Sequence, residues 1–251
     1  MASLETRIRN LSTRLGTEFK AVRAEMDAIG GGAGHDATDP ESAIRLVDDF
    51  IGGSTESGEI GELGWSFTNG TIIQRSPVVS NHPGIIRRTS TTTASQYNSL
   101  YLTNGVAAGP ILFEQFDEMR WIFSPILTDL YNLRIGACAD ASSGAPSHGF
   151  FIWKDASLTN YYIMIVNGAT SQTFEVKACV SGEWTKVKFR RVAAGQMRFS
   201  IDGGSEVTAN GAYVPDGADM LQPFATIQPT TTAARSFDLD FFSMKLVAPT
   251  R

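Results

Sequence analysis

Carboxylates, histidines and cysteines are the side chains of this 251-residue chain that could do chemistry, and their spacing decides which chemistry is open. Two carboxyls at alternate positions of a strand can share a glycosidic bond as acid and nucleophile. Asp238 and Asp240 have that spacing, but Phe237, Leu239 and Phe241 fill the other side of the run and no third acid follows. Both therefore read as solvent-facing or paired groups. Glu59-Ile60-Gly61-Glu62 sits among glycines and reads as a turn. His35, His82 and His148 stand alone, so no metal-ligand spacing exists. No Gly-x-Ser-x-Gly elbow, Walker loop or paired Cys/His set is present. The expectation is a non-enzymatic protein without catalytic residues, metal or cofactor.

The chain has two cysteines, too few for a disulfide framework at this size. Alternation puts Cys138 and Cys179 beside Arg134 and Lys177, on the more polar side of their strands, where separate thiols are expected and a bridge stays open.

Binding needs less than catalysis: an aromatic platform and a few polar groups suffice. Phe151, Trp153, Asp155, Asn160 and Tyr161 bracket one loop, and Trp153, Asp155, Asn160 and Tyr161 are the candidate glycan-binding residues. The competing reading is that these aromatics belong to the core or to a subunit contact.

The elements that must position these residues are strands. After residue 40, short alternating or wholly apolar runs are separated by Gly, Pro and Asn turns, the pattern of a sandwich or barrel. The expected strands are Ile44 to Phe50, Trp65 to Thr68, Gly84 to Thr89, Ser99 to Leu102, Met119 to Ser124, Tyr131 to Ala139 and Gly149 to Lys154. They continue with Tyr161 to Val166, Thr173 to Val180, Thr185 to Arg191, Gln196 to Ile201, Phe224 to Gln228 and Ser236 to Val247. Val187, Phe189, Met197, Phe199 and Ile201 point one way, with Lys188, Arg190, Arg198 and Ser200 opposite, as in half-exposed strands. Tyr161 to Val166 is apolar on both faces, which places it centrally or against another subunit. Asp202-Gly203-Gly204 and Pro215-Asp216-Gly217 mark tight turns. A net charge of −5 argues against nucleic acid as a partner. Lys186, Lys188, Arg190 and Arg191 read as a strand's solvated face.

Residues 1–29 differ in period. Leu4, Ile8, Leu11, Leu15, Phe19, Val22, Met26 and Ile29 recur at intervals of three and four, so they form one stripe of a helix about 44 Å long. The stripe keeps an eleven-residue rhythm, suited to a straight or slightly right-handed bundle. A helix of this length is marginal alone, and burying each large side chain against a partner contributes about 1.5–3 kcal/mol. Self-association through these eight residues is expected. Gly30-Gly31-Gly32 stops the helix and opens a polar linker, 30–42, ahead of a β head at 43–251. With no continuous apolar stretch at the start and no window of 18 apolar residues, no membrane insertion is expected, and the product should be made soluble in the cytoplasm.

Two resemblances add to this reading. Glu183-Trp184-Thr185-Lys186-Val187-Lys188-Phe189-Arg190-Arg191, with Gln196 to Gly203 and Ser236 to Met244, resembles the strands of concanavalin A-like (legume lectin and glucanase) jelly rolls. The implied fold class is mainly β, a jelly-roll β-sandwich with an N-terminal helical coiled-coil stalk. The glucanases of that group carry Glu-x-Asp-x-x-Glu on one strand, and this chain has no such run. Leu11 to Glu25, and Asp48-Asp49-Phe50-Ile51-Gly52-Gly53 with Gly61-Glu62-Leu63-Gly64-Trp65, are similar to segments of tailed-bacteriophage virion proteins. That similarity implies a homotrimeric virion component made in the host cytoplasm. Its expected role is a short fibre or host-contact module partnered by tail or capsid proteins, with a host surface glycan as a further partner. A capsid decoration protein is the alternative, and a glycan-binding or glycan-degrading domain the one after it.

Overall fold

A computed structural model describes residues 43–50, 53–54, 59–61, 63–75, 84–102, 111–126, 129–139 and 146–247. These belong to one unit, Glu41–Arg251. The stalk expected at residues 1–29, with its stripe from Leu4 to Ile29, and the linker at 30–42 lie outside the described residues, as do His35 and His82. Among the described residues there is no α-helix, only two 3-10 turns at Phe113–Gln115 and Gly211–Tyr213, and no helix long and apolar enough to cross a membrane.

The strands, in chain order, are β1 (Ala43–Asp48), β2 (Gly53–Ser54), β3 (Glu59–Ile60), β4 (Ser66–Phe67), β5 (Thr71–Arg75) and β6 (Ile85–Thr89). Next come β7 (Asn98–Tyr101), β8 (Ile111–Leu112), β9 (Phe116–Pro125), β10 (Tyr131–Cys138), β11 (His148–Lys154) and β12 (Asn160–Asn167). The series closes with β13 (Thr170–Ala178), β14 (Thr185–Ala193), β15 (Gln196–Ile201), β16 (Val207–Asn210), β17 (Met220–Pro229) and β18 (Ser236–Val247). Every expected strand has a counterpart. The sequence missed β2, β5, β8 and β16, and Glu59-Ile60, read as part of a turn, forms the short strand β3 before Gly61 turns the chain at φ +69°.

Two eight-stranded sheets face each other. The first runs β16-β15-β14-β9-β18-β6-β5, with β1 also on β18; the second runs β13-β12-β11-β10-β17-β7-β4, with β8 on β17. The pairs are antiparallel, so alternate residues of each strand point into the space between the sheets. From the first sheet come Met119, Trp121, Phe123, Val187, Phe189, Phe199, Phe242 and Met244; from the second, Leu133, Ile135, Phe150, Ile152, Ile163 and Ile165. Rings interlock there, with Trp65 5.4 Å from Trp121 and 4.9 Å edge-on to Phe242. Ile201 and Gly204 close a turn whose central residues, Asp202 (φ +51°) and Gly203 (φ +76°), both adopt the left-handed conformation that hairpin turns require.

Asp48 ties the sandwich's end. Its carboxylate, 1 % exposed, accepts bonds from the Phe50 amide (2.7 Å), the Leu63 amide (3.1 Å) and Trp65 Nε1 (2.9 Å). A Cβ on Gly61 would overlap that carboxylate, so the turn there accepts only glycine.

Two expectations about single residues need correction, and one is met. Phe241 does not share the inner side with Phe237 and Leu239. The pairing of β18 with β9 shifts between Leu239 and Phe241, so the bulge at Asp240 reverses the phase and sends Phe242 and Met244 into the core instead. Asp238 is paired, as expected: buried, it forms a two-pronged ion pair with Arg87, at 2.7 and 2.8 Å. Cys138 and Cys179 are not on polar surfaces: both are buried, Cys138 under aromatic rings and Cys179 in the main core, and no disulfide joins them.

Candidate functional site

On the outer side of the second sheet a second apolar cluster forms, away from the main core. Tyr101, Cys138, Phe151, Val166 and Phe224 are buried in it, with Trp153 and Met164 packed alongside. This explains why β12 is apolar on both faces: Tyr161, Ile163 and Ile165 serve the core while Met164 and Val166 serve the outer cluster. Gly136 lies between the two phenylalanines, paired with Phe151 on one side and Phe224 on the other. A Cβ there would overlap the Phe150 carbonyl oxygen and come within 2.6 Å of Phe151 Cα. With glycine in place, the Phe151 and Phe224 rings meet edge to face at 5.9 Å.

Next to this cluster, the register assembles a polar-aromatic row. Ser99 pairs with Thr226, Thr226 with Arg134, Arg134 with Trp153, Trp153 with Tyr162, and Tyr162 with Glu175. Antiparallel partners share a face, so these six side chains lie side by side across the sheet. Trp153 and Tyr162 rings are 5.7 Å apart and tilted by 40°. Glu175 accepts hydrogen bonds from Asn160 Nδ2 (2.7 Å) and the Tyr162 hydroxyl (3.1 Å). At the other end, Arg134 sits over the Tyr97 ring at 5.8 Å. A groove of about 570 Å³ opens here, lined by Arg134, Phe151, Trp153, Met164, Val166 and Ser171. The Trp153 Nε1 proton is shielded from water and has no hydrogen-bond partner among the described residues.

Asp155 lies in the turn between β11 and β12. The Ser157 hydroxyl (2.7 Å) and amide (2.9 Å) hold its carboxyl below the usual range, with Lys154 and Arg134 adding to the effect. It is an ionised acceptor, not a proton donor. Lys154 turns inward, where its ammonium donates to the Asp155 carbonyl (3.1 Å) and lies 4.7 Å from the centre of the Tyr131 ring.

Of the four residues proposed from sequence, Trp153 lines the groove, Asn160 braces Glu175 and Asp155 borders the row. Tyr161 does not belong with them. Trp153 is registered with Tyr162, so Tyr161 points to the opposite face; it is 1 % exposed, edge-on to Phe123 at 5.6 Å. Arg134, Tyr162 and Glu175 were missed. Leu133 and Ile135 already mark Arg134 as outward-facing, but only the strand pairing shows that it neighbours Trp153. Asp238 and Asp240 are on the first sheet, remote from this row in topology. His148 contacts Ser147 (3.1 Å) and approaches Asp219 (3.8 Å). Among the described residues no three His, Cys, Asp or Glu side chains are grouped to hold a metal ion.

Solved structures share the architecture. A protein of unknown function, SO2946 from Shewanella oneidensis MR-1, superposes with a TM-score of 0.58 at 16% identity, covering 91% of this chain and 96% of its own. A β-glucanase of Bacillus licheniformis gives 0.53 at 10% identity, over 82% and 99%. The carbohydrate recognition domain of Emp47p gives 0.52 at 11%, over 86% and 100%. At such identities the likeness is one of fold: a mainly β sandwich of two antiparallel sheets with concanavalin A-like jelly-roll neighbours. No protein-family model matches the chain, and no curated protein matches it.

Proposed function

We propose that the β unit is a carbohydrate-binding module that holds a glycan in the groove beside Trp153 and does not cleave it. The observation that carries this reading is the row Arg134-Trp153-Tyr162-Glu175. A pyranose has an apolar C–H face and a rim of hydroxyls. Indole and phenol rings suit the face, while a guanidinium at one end and a carboxylate at the other suit the rim. The names of the fold's neighbours, a glucanase and a carbohydrate recognition domain among them, support the same ligand class.

The carboxylates support binding without hydrolysis. Hydrolysis by a carboxyl pair needs one member kept protonated. Asp155, the carboxylate in the turn beside the row, is held ionised. Titration calorimetry with soluble neutral polysaccharides, β-glucan included, tests the proposal. Trp153→Ala should weaken binding about tenfold, the loss of one stacked aromatic contact and the apolar area it covers, while Tyr161→Phe, on the other face, should leave it unchanged. A folded Trp153→Ala protein that binds like the wild type, or reducing ends released from the polysaccharide, contradicts the proposal.

A second reading concerns where the module works, and the helical stripe of residues 1–29 favours it. We propose that the chain self-associates through Leu4, Ile8, Leu11, Leu15, Phe19, Val22, Met26 and Ile29 as a homotrimer on a phage particle. There it would serve as a short fibre or host-contact module, with capsid decoration as the alternative. Copies per particle separate these: a few to tens for a fibre, hundreds for decoration.

A further inference from the structure

The outer face of the first sheet gathers positive charge in a chain whose net charge is −5. Register aligns Arg45 of β1, Lys245 of β18, Glu118 of β9, Arg190 of β14 and Arg198 of β15 in one row. Neighbouring strands lie about 4.8 Å apart, so this row spans about 19 Å. The adjacent row holds Ser243, Arg120, Lys188 and Ser200, and the one after it Phe241, Ile122 and Lys186.

Carboxylates offset this charge only in part. Glu118 pairs with Arg120 (2.5 Å) and Asp117 with Lys245 (2.8 Å). Glu206 alone serves Lys188 (2.8 Å), Arg190 (3.5 Å) and Arg198 (3.6 Å). Further along, Asp238 is matched by Arg87, and Asp202, beside the Lys186 amide, by Lys177. Arg45 and Lys186 have no ion pair among the described residues. The Nε protons of Arg190 and Arg198 are shielded from water and have no acceptor there either. Between the second and third rows lies a hollow of about 320 Å³, with Ile122 and Phe241 as apolar surface, the Ser200 hydroxyl, and Arg120, Lys186 and Lys188 around it.

We infer that this face binds an acidic polysaccharide, a sugar chain bearing carboxylate, sulfate or phosphate groups, laid across the strands. Anionic groups meet Lys186, Lys188, Arg190 and Arg198, and a sugar ring covers Ile122 and Phe241. Charge complementarity and the spacing of cations along flat rows fit an extended polyanion. Nucleic acid fits less well: bases need stacking surfaces, and this face offers one ring. The face is on the opposite sheet from the Trp153 groove, so the two readings can fail separately.

Binding of alginate, a polyuronate, is measured beside neutral β-glucan and a single-stranded oligonucleotide. Alginate should bind at about 50 mM NaCl and weaken about tenfold or more by about 300 mM, as screening of exposed charges requires. Lys186→Gln with Arg198→Gln should lower alginate affinity about tenfold, whereas Glu206→Gln, which releases three cations, should raise it severalfold. Trp153→Ala should leave alginate binding unchanged while weakening neutral glycan. If the double variant fails to fold by circular dichroism, Glu206→Gln decides alone: unchanged or weaker alginate binding overturns the inference. So does absence of alginate binding at low salt, or an oligonucleotide bound as tightly.

Discussion

Single side chains show what was legible and what needed three dimensions. Trp153 could be picked from sequence because it and the residues after it bracket one loop and offer a ring beside polar groups. Its neighbours could not, because alternation gives a residue's face only after the strand's phase is known. Phe150 to Trp153 is apolar on both faces, so Tyr161 and Tyr162 were equally good partners until the register chose Tyr162. Asp48 was invisible as a structural residue, since two of its three donors, the Leu63 amide and Trp65 Nε1, come from a separate stretch of chain. Asp48→Ala should cost about 2–4 kcal/mol in urea denaturation, because it leaves buried donors unsatisfied. Lys154 gives a pH signature. Burial pushes its ammonium below the ordinary lysine value, so in the window between the two values the unfolded state binds more protons. Stability from this group therefore rises as pH climbs through that window, and Lys154→Met should flatten the slope and raise Tm near neutral pH. Glu206 has the opposite linkage. The Lys188 hydrogen bond lowers its pKa, so its contribution is present above the usual carboxylate range and is lost as pH falls through the folded value. For so exposed a group the contribution is about 0.5 kcal/mol or less.

At the scale of elements, alternation identified the long strands and failed where a strand breaks phase. β18 reads as one regular run, yet the extra residue at Asp240 reverses it midway, and nothing in Leu239-Asp240-Phe241 announces the bulge. Deleting Asp240 leaves Leu239 and Phe241 on consecutive β9 partners, Phe123 and Ile122, so β18 should become regular with Phe242 and Met244 still inside, and calorimetry should record cooperative unfolding retained. The short strands β2, β3, β5, β8 and β16 escaped for a different reason: two, four or five residues carry too little periodicity to distinguish from loop. Gly136 makes the opposite point. A glycine in mid-strand usually weakens it, but here it lets Phe151 and Phe224 close over the backbone and wall the groove. Gly136→Ala should destabilise the fold by about 3 kcal/mol or more, with glycan affinity falling as that wall shifts.

For the whole molecule, two faces with different chemistry emerge from one sandwich. The second sheet presents an aromatic groove, and the first presents rows of cations that sequence reading took for a solvated strand. Lys186, Lys188, Arg190 and Arg198 were visible together, but Arg45, Arg120 and Lys245 join them only through pairing of distant strands. The proposed homotrimer makes its own prediction: sedimentation equilibrium should return about three times the 27.1 kDa chain mass, and a monomer at micromolar concentration would exclude it. The central claim, a glycan seated beside Trp153, is tested most directly by a crystal structure of the chain with a β-gluco-oligosaccharide bound. The account predicts a sugar ring against the Trp153 indole, with hydroxyls reaching Arg134 and Glu175. An oligosaccharide bound elsewhere, with that groove empty, would contradict it.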